Sequence, residues 1–155
     1  MLKVGDFAPD FTLKAHDNST FVTLSEKKGT RVLLSFYPAA FTGVCTNQAC
    51  GLSDYHQQLA SLGCEVYGIS VDAAPFSNKA FAEANNIQYH LLSDVNREAI
   101  KAFHIEYENF AIEGYTVAQR SIFVIEADGT IGYAWYAETP GVSPDIDEVM
   151  NFLQG

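Results

Sequence analysis

Cysteine is scarce in this sequence, with 3 among 155 residues. So small and odd a number excludes a disulfide-stapled scaffold. No pair stands at Cys-x-x-Cys spacing, and the four histidines, His16, His56, His90 and His104, are scattered. A structural zinc site needs four ligands at close paired spacing, so no metal is expected. Positive charge is also sparse: Lys and Arg number 9 against 19 Asp and Glu, a formal net charge of -10. A surface that negative repels phosphate backbones and anionic membranes, which argues against nucleic acid or a membrane as partner. Gly and Pro number 11 and 5, too few for a collagenous or low-complexity chain. No apolar run approaches the about 18 residues of a membrane span. The opening residues, Met1 to Asp6, contain no long apolar signal segment. The expectation is a cytoplasmic protein with reduced thiols.

What is present is the material of a core. Apolar residues make up 48% and aromatic residues 13% of the chain, well above what disordered chains carry. No repeat, linker or charge block interrupts it, so one domain over residues 1–155 is expected. Phe11–Ala15 and Phe21–Leu24 read as strands joined by the polar turn His16-Asp17-Asn18-Ser19. Val32–Tyr37 is a continuous apolar run, the pattern of a strand buried on both faces. A helix follows from Thr42, with Cys45, Ala49, Leu52, His56 and Leu59 as its inward stripe and Gly63 as its stop. Val66–Val71 and Tyr89–Leu92 read as further strands. Pro75 opens a helix through Phe76, Ala80, Phe81 and Ala84, and Asp94 or Asn96 caps another through Ile100 and Phe103. Residues 105–119 read as a loop. Ser121–Ile125 and Ile131–Ala137 form a hairpin around Asp128-Gly129, and a last helix starts at Pro144. This alternation predicts an α/β fold, a mixed sheet between helices.

Ligands of such sheets sit at the carboxyl ends of strands. The stretch Tyr37-Pro38-Ala39-Ala40-Phe41-Thr42-Gly43-Val44-Cys45 lies at one such end. Pro38 fixes the backbone as the strand leaves the sheet. Thr42 suits the N-cap, its hydroxyl able to reach an amide two or three residues on. Cys45 then falls in the first helical turn, where free amides and the helix dipole favour a thiolate. On periodicity alone, Cys45 is equally a buried structural cysteine.

Pro-x-x-x-Thr-x-x-Cys after a buried strand resembles the motif of the peroxiredoxins, the thiol peroxidases of the thioredoxin-like fold. The resemblance runs over nearly the whole chain. Val4-Gly5-Asp6-Phe7-Ala8-Pro9-Asp10-Phe11 is similar to their opening segment, Gly68-Ile69-Ser70-Val71-Asp72 to their second core strand, and Gln119 to Ile125 to their arginine-bearing strand. It implies a thioredoxin-like mixed sheet with helices on both faces and an N-terminal β-hairpin extension. It also implies roles: Cys45 as the peroxidatic cysteine, Thr42 holding thiolate and peroxide, Pro38 shielding the thiolate from water, and Arg120 pairing with it. No cofactor is implied. The substrates implied are hydrogen peroxide or organic hydroperoxides, reduced through a cysteine sulfenic acid, and the protein is expected as a monomer or homodimer.

No cysteine lies beyond position 64, so the C-terminal resolving cysteine of the typical two-cysteine peroxiredoxins is missing. Cys45-Thr46-Asn47-Gln48-Ala49-Cys50 resembles instead the bacterioferritin comigratory (Q-type) members, which implies Cys50 as resolving cysteine. Five helical steps rise about 7.5 Å and turn about 140°, beyond the roughly 7 Å Cα limit of a disulfide. A Cys45–Cys50 bond therefore requires the helix to unwind. Relatives of the alkyl hydroperoxide reductase E type use one cysteine and an external thiol, and both routes stay open. The reductant is then a thioredoxin-type protein or a small thiol. A non-enzymatic redox sensor is the third reading, while a thioredoxin-type oxidoreductase fails on cysteine spacing. Cys64 reads as a small buried hydrophobe and His56 as packed or capped. Phe41 is set at the mouth of the peroxide pocket, and Tyr37, Phe76, Phe123 and Trp135 are set in the core. Asp94, Glu98, Glu106 and Glu108 read as solvated charges.

Overall fold

The computed structural model describes residues 1–155. Its centre is a seven-stranded mixed sheet. In chain order the strands are β1 (Thr12–Ala15), β2 (Phe21–Thr23), β3 (Arg31–Phe36), β4 (Cys64–Ser70), β5 (His90–Ser93), β8 (Ser121–Ile125) and β9 (Ile131–Tyr136). Between β5 and β8 lies a separate ribbon, β6 (Glu106–Tyr107) with β7 (Val117–Ala118). The spatial order of the sheet is β2-β1-β5-β4-β3-β8-β9. β3, β4 and β5 run parallel at the centre, and the two hairpins complete the edges antiparallel. The helices are α1 (Gly43–Asp54), α2 (His56–Ser61), α3 (Lys79–Ala84), α4 (Glu98–Ala102) and α5 (Ile146–Gln154).

The apolar run of β3 divides between two cores, because side chains alternate across a strand. Val32, Leu34 and Phe36 join Phe123 and Ile125 of β8 and Ile100 of α4 on one face. Leu33 joins Ile122 and Val124 of β8 with Leu52, Leu59, Phe81 and Val149 of α1, α2, α3 and α5 on the other. The double burial read from the sequence follows from helices on both faces. No helix is long and apolar enough to cross a membrane.

Four local expectations fail for identifiable reasons. The helix from Thr42 does not run unbroken to Gly63: it breaks at Tyr55, and His56 starts α2 only half-buried. The helix at Pro75 begins with a π-helical turn over Ala74–Asn78. Its extra residue per turn rotates the stripe, so Asn78 and Phe81 point inward while Phe76 and Ala80 are exposed. The loop over residues 105–119 contains the β6–β7 ribbon, whose two-residue strands are too short for an alternation signal. Asp94 is not solvated. It is 1% exposed and accepts the Ala99 and Ile100 N–H groups at 3.0 and 2.9 Å. Of the two caps expected for α4 it is thus Asp94 that serves, from a distance, because Arg97 at the cap position adopts a left-handed backbone, φ 59°. Burial pushes the Asp94 carboxyl upward. Glu98, Glu106 and Glu108 are exposed as expected, and Trp135 is half-buried.

The N-terminal hairpin is joined to the β5 edge by a side chain standing in for backbone. His16 N–H donates to Leu91 O at 2.9 Å, and His16 Nδ1 accepts the Leu91 N–H at 3.0 Å. Burial first, then the neighbouring His90, holds His16 below its ordinary value. The nearby Asp17, 3.6 Å from His90 Nε2, acts in the opposite direction. Since a protonated Nδ1 cannot accept, the unfolded chain takes up this proton at higher pH than the folded one. Stability from this group is complete above about pH 6.5 and declines as the pH falls through that value. Denaturant titrations across that pH range are expected to show the decline in the wild type, and to show a smaller one in His16→Gln.

Candidate active site

The carboxyl ends of β3 and β4 lie side by side, and three chain segments meet there. Beyond β3, Tyr37 keeps the sheet bond, its N–H donating to Ile69 O at 3.1 Å. Pro38 is buried at the strand end. The loop 38–42 then leads into α1, with Cys45 in its first turn and fully buried. Cys45 shares its core with Leu33, Tyr37, Ala49 and Ile122. Thr42 takes the N-cap backbone position, but the side-chain cap expected of it is absent. Its hydroxyl donates instead to Ala39 O at 3.2 Å. Helical bonding starts with Thr46 N–H to Thr42 O at 2.9 Å, so the amides of Gly43, Val44 and Cys45 have no partner within the helix.

Arg120 reaches the same place from β8. The antiparallel register sets Phe36 opposite Ser121, so the residue before β8 stands at the end of β3. Arg120 is 2% exposed. Its Nε and Nη2 donate to Pro140 O at 3.0 and 2.8 Å, and Nη1 donates to Gln48 Oε1 at 2.9 Å. No carboxylate pairs with it, since the protein's four ion pairs involve other residues. Gln48, 1% exposed, also donates from Nε2 to Ser35 Oγ at 2.7 Å and Phe36 O at 3.1 Å. Its amide thus ties α1, β3 and Arg120 together. Sequence reading passed over Gln48, although a polar residue on the inward stripe of a helix, one turn from Cys45, was a usable signal.

Phe41 adopts a left-handed backbone, φ 65°, and its ring stacks edge-on against Phe81 at 5.3 Å. At 58% exposed it stands on the surface beside the loop. None of the three cavities is lined by Cys45 or Thr42, and Cys45 itself has no exposed surface.

The other cysteines differ in setting. Cys50 is half-buried in α1 beside a polar cavity of about 450 Å³ that also touches Ser53, His56 and Asn85. Burial, and then the Asp54 charge, push its thiol upward. Gly51 follows, where a Cβ would stand 3.3 Å from Ile146 Cγ1 of α5, so the two helices cross closely. Cys64 at the start of β4 is buried, and burial pushes its thiol up to about 11. All three thiols are free. Cys45, Thr42, Pro38, Gln48 and Arg120 therefore meet at one end of the sheet, while Cys64 stands at the opposite end of β4.

A family model described as AhpC/TSA matches residues 4–134. Peroxiredoxin Bcp of Escherichia coli K12 is 38% identical over 154 residues, covering 99% of this chain and 96% of the relative. A chloroplastic peroxiredoxin Q of Gentiana triflora is 37% identical over 150 residues, covering 97% of this chain and 66% of its own length. Among solved structures, peroxidoxin BcpB of Mycobacterium tuberculosis superposes with a TM-score of 0.85 at 29% identity, covering 99% of this chain and 97% of that one. The reduced 2-Cys peroxiredoxin of Plasmodium vivax superposes at 0.87 with 26% identity, covering 99% and 81%. The thioredoxin-like fold implied by the sequence is the fold observed. With a matching family model over most of its length and a relative 38% identical over 99% of it, the chain belongs to the AhpC/TSA family and is a peroxiredoxin, a thiol peroxidase.

Proposed function

We propose that Cys45 is the peroxidatic nucleophile, acting on hydrogen peroxide and organic hydroperoxides. The observation that carries this reading is Arg120, a buried guanidinium held only by neutral acceptors. A buried charge without a counter-ion is costly, and a Cys45 thiolate one helical turn from Gln48 supplies the counter-charge. The thiolate attacks the terminal oxygen of the peroxide and the O–O bond breaks. Cys45 becomes a sulfenic acid, while the departing oxygen takes a proton and leaves as water or an alcohol. The unpartnered amides at the start of α1, Arg120 and the Thr42 hydroxyl stabilise charge on that oxygen. For this the Thr42 hydroxyl turns from Ala39 O to the peroxide. Pro38, buried at the end of β3, keeps water from the thiolate.

Cys50 is the proposed resolving thiol. Its sulfur attacks the Cys45 sulfenic sulfur, water leaves, and a Cys45–Cys50 disulfide forms. A thioredoxin-type dithiol or a small thiol then reduces it. Both cysteines lie within α1, so its first turns unwind in every cycle. Two features support this. The N-terminus of α1 has no side-chain cap and no acidic residue in its first turn, whereas Asp145 caps α5 through Glu148 N–H and two acidic residues follow. The one-cysteine route draws support from the upward-shifted, half-buried Cys50 thiol, a weak nucleophile while the helix is intact.

Cys45→Ser is expected to abolish peroxide consumption, and near-normal turnover in that variant rules out the assignment. Arg120→Ala is expected to slow the peroxide step by about 100-fold or more, read as the second-order rate of the reduced protein. Cys50→Ser is expected to react once with peroxide, stall as sulfenate and over-oxidise to sulfinate. Peptide mapping of the oxidised wild type is expected to give a Cys45–Cys50 link, with faster amide exchange over residues 42–52. Absence of the link together with unimpaired cycling of Cys50→Ser establishes the one-cysteine route.

A further inference from the structure

Behind the loop 38–42 lies a polar cluster that the chemistry above does not use. Asp72, just beyond β4, accepts two hydrogen bonds on the same oxygen. The Ala40 N–H reaches Oδ2 at 2.9 Å, and the Ser70 hydroxyl reaches it at 2.8 Å. The Asp72 backbone is held as well. Its carbonyl accepts the Ser93 hydroxyl at 2.5 Å and Asn78 Nδ2 at 3.4 Å. Asn78, fully buried in the π-helical turn, accepts the Tyr37 hydroxyl at 2.8 Å. Tyr37 precedes the loop and Ala40 lies within it, so the chain is tied at the loop's entry and at its middle to one cluster drawn from β4, β5 and the π turn.

The tie acts where the backbone is strained. Phe41 follows Ala40 directly, and a left-handed φ is unfavourable for a bulky residue unless its surroundings enforce it. Two contacts enforce it: the stack of Phe41 on Phe81, and the charge-assisted bond from Ala40 N–H to Asp72. The next residue is Thr42, and α1 with Cys45 begins one residue later. Resting on the reading of Cys45 as nucleophile, the geometry points to Asp72 as a positioning residue for the peroxide step. Through the Ala40 amide it fixes the strained turn that places the Thr42 backbone and the start of α1 where the peroxide is to bind. It touches neither thiol nor peroxide.

The test compares two rates on the reduced full-length chain. One is the second-order rate with hydrogen peroxide; the other is iodoacetamide alkylation of Cys45, followed by peptide mass. Alkylation reports access and reactivity of the sulfur but needs no aligned Thr42. In Asp72→Ala the ratio of peroxide rate to alkylation rate is expected to fall about 10- to 100-fold, since misplacement of about 1 Å at a reacting centre costs on that order. Asp72→Asn is expected to recover most of this loss, because one carbonyl oxygen can still receive both donors that converge on Oδ2. A wild-type ratio in Asp72→Ala, or an Asp72→Asn as impaired as Asp72→Ala, overturns the assignment. Should Asp72→Ala fail to fold by circular dichroism, Ser70→Ala replaces it. Loss of that second donor is then expected to lower the ratio, and an unchanged ratio overturns the assignment. A wild type that consumes no peroxide fails the Cys45 reading and this one with it. An active wild type with an indifferent Asp72 fails this one alone.

Discussion

Arg120 carries a full positive charge in a place only 2% exposed, and every acceptor that reaches it is a neutral oxygen. Removing such a charge from water costs several kcal/mol, so the surrounding structure is built to hold it. Pro140 O takes two of its donors and Gln48 Oε1 a third, which fixes the loop after β9 and the inward face of α1 around one planar group. Gln48 cannot move independently, because its amide nitrogen is committed to Ser35 and Phe36 of β3. The end of β3, the first turns of α1 and the start of β8 are therefore set by a common constraint. A disturbance in any of them is felt at Cys45.

That constraint also explains which parts of the molecule were legible in the sequence. The double burial of β3 was readable because Val32–Tyr37 is apolar at every position but Ser35, and both of its cores exist. The hairpin from β8 to β9 was readable because Asp128-Gly129 marks its turn, and Gly129 does adopt a positive φ of 91°. Thr42 and Cys45 are neighbours in the chain, so their meeting needed only a strand end and a helix start. Arg120 is different. Nothing in its own neighbourhood marks it as buried; only the register of β8 on β3 brings it to the site, and a register is not visible in one strand. The family resemblance supplied what periodicity could not.

The features that were missed share a physical type. The break at Tyr55, the π-helical turn at Ala74–Asn78 and the burial of Asp94 are all settled by tertiary partners. Tyr55 donates its hydroxyl to Asp147 of α5 at 2.6 Å, Asn78 turns inward to meet Tyr37, and Asp94 is buried against amides five and six residues ahead. Helical periodicity describes a face toward a core. It does not report a polar side chain recruited to that face, which is why Gln48 and Asn78 were overlooked and why Asp94, expected as a cap, was also expected in solvent.

The crossing of α1 and α5 at Gly51 gives the opening of α1 a boundary. Ile146 lies where a Gly51 side chain would begin, and the Tyr55–Asp147 bond holds the far end of α1 to the same helix. The stretch from Gly43 to Cys50 has no comparable clasp to α5, and the bonds of Gln48 to β3 and Arg120 are what its opening has to release. Fraying from the uncapped end thus meets a stop immediately after Cys50, and the strands beneath need not separate. A motion so confined is a local fluctuation that draws on far less than the global stability of the domain. In the proposed disulfide route the two sulfurs also remain on a tether of a few residues, so their search for one another is short, and the anchored remainder of α1 is a ready template on which the helix can re-form.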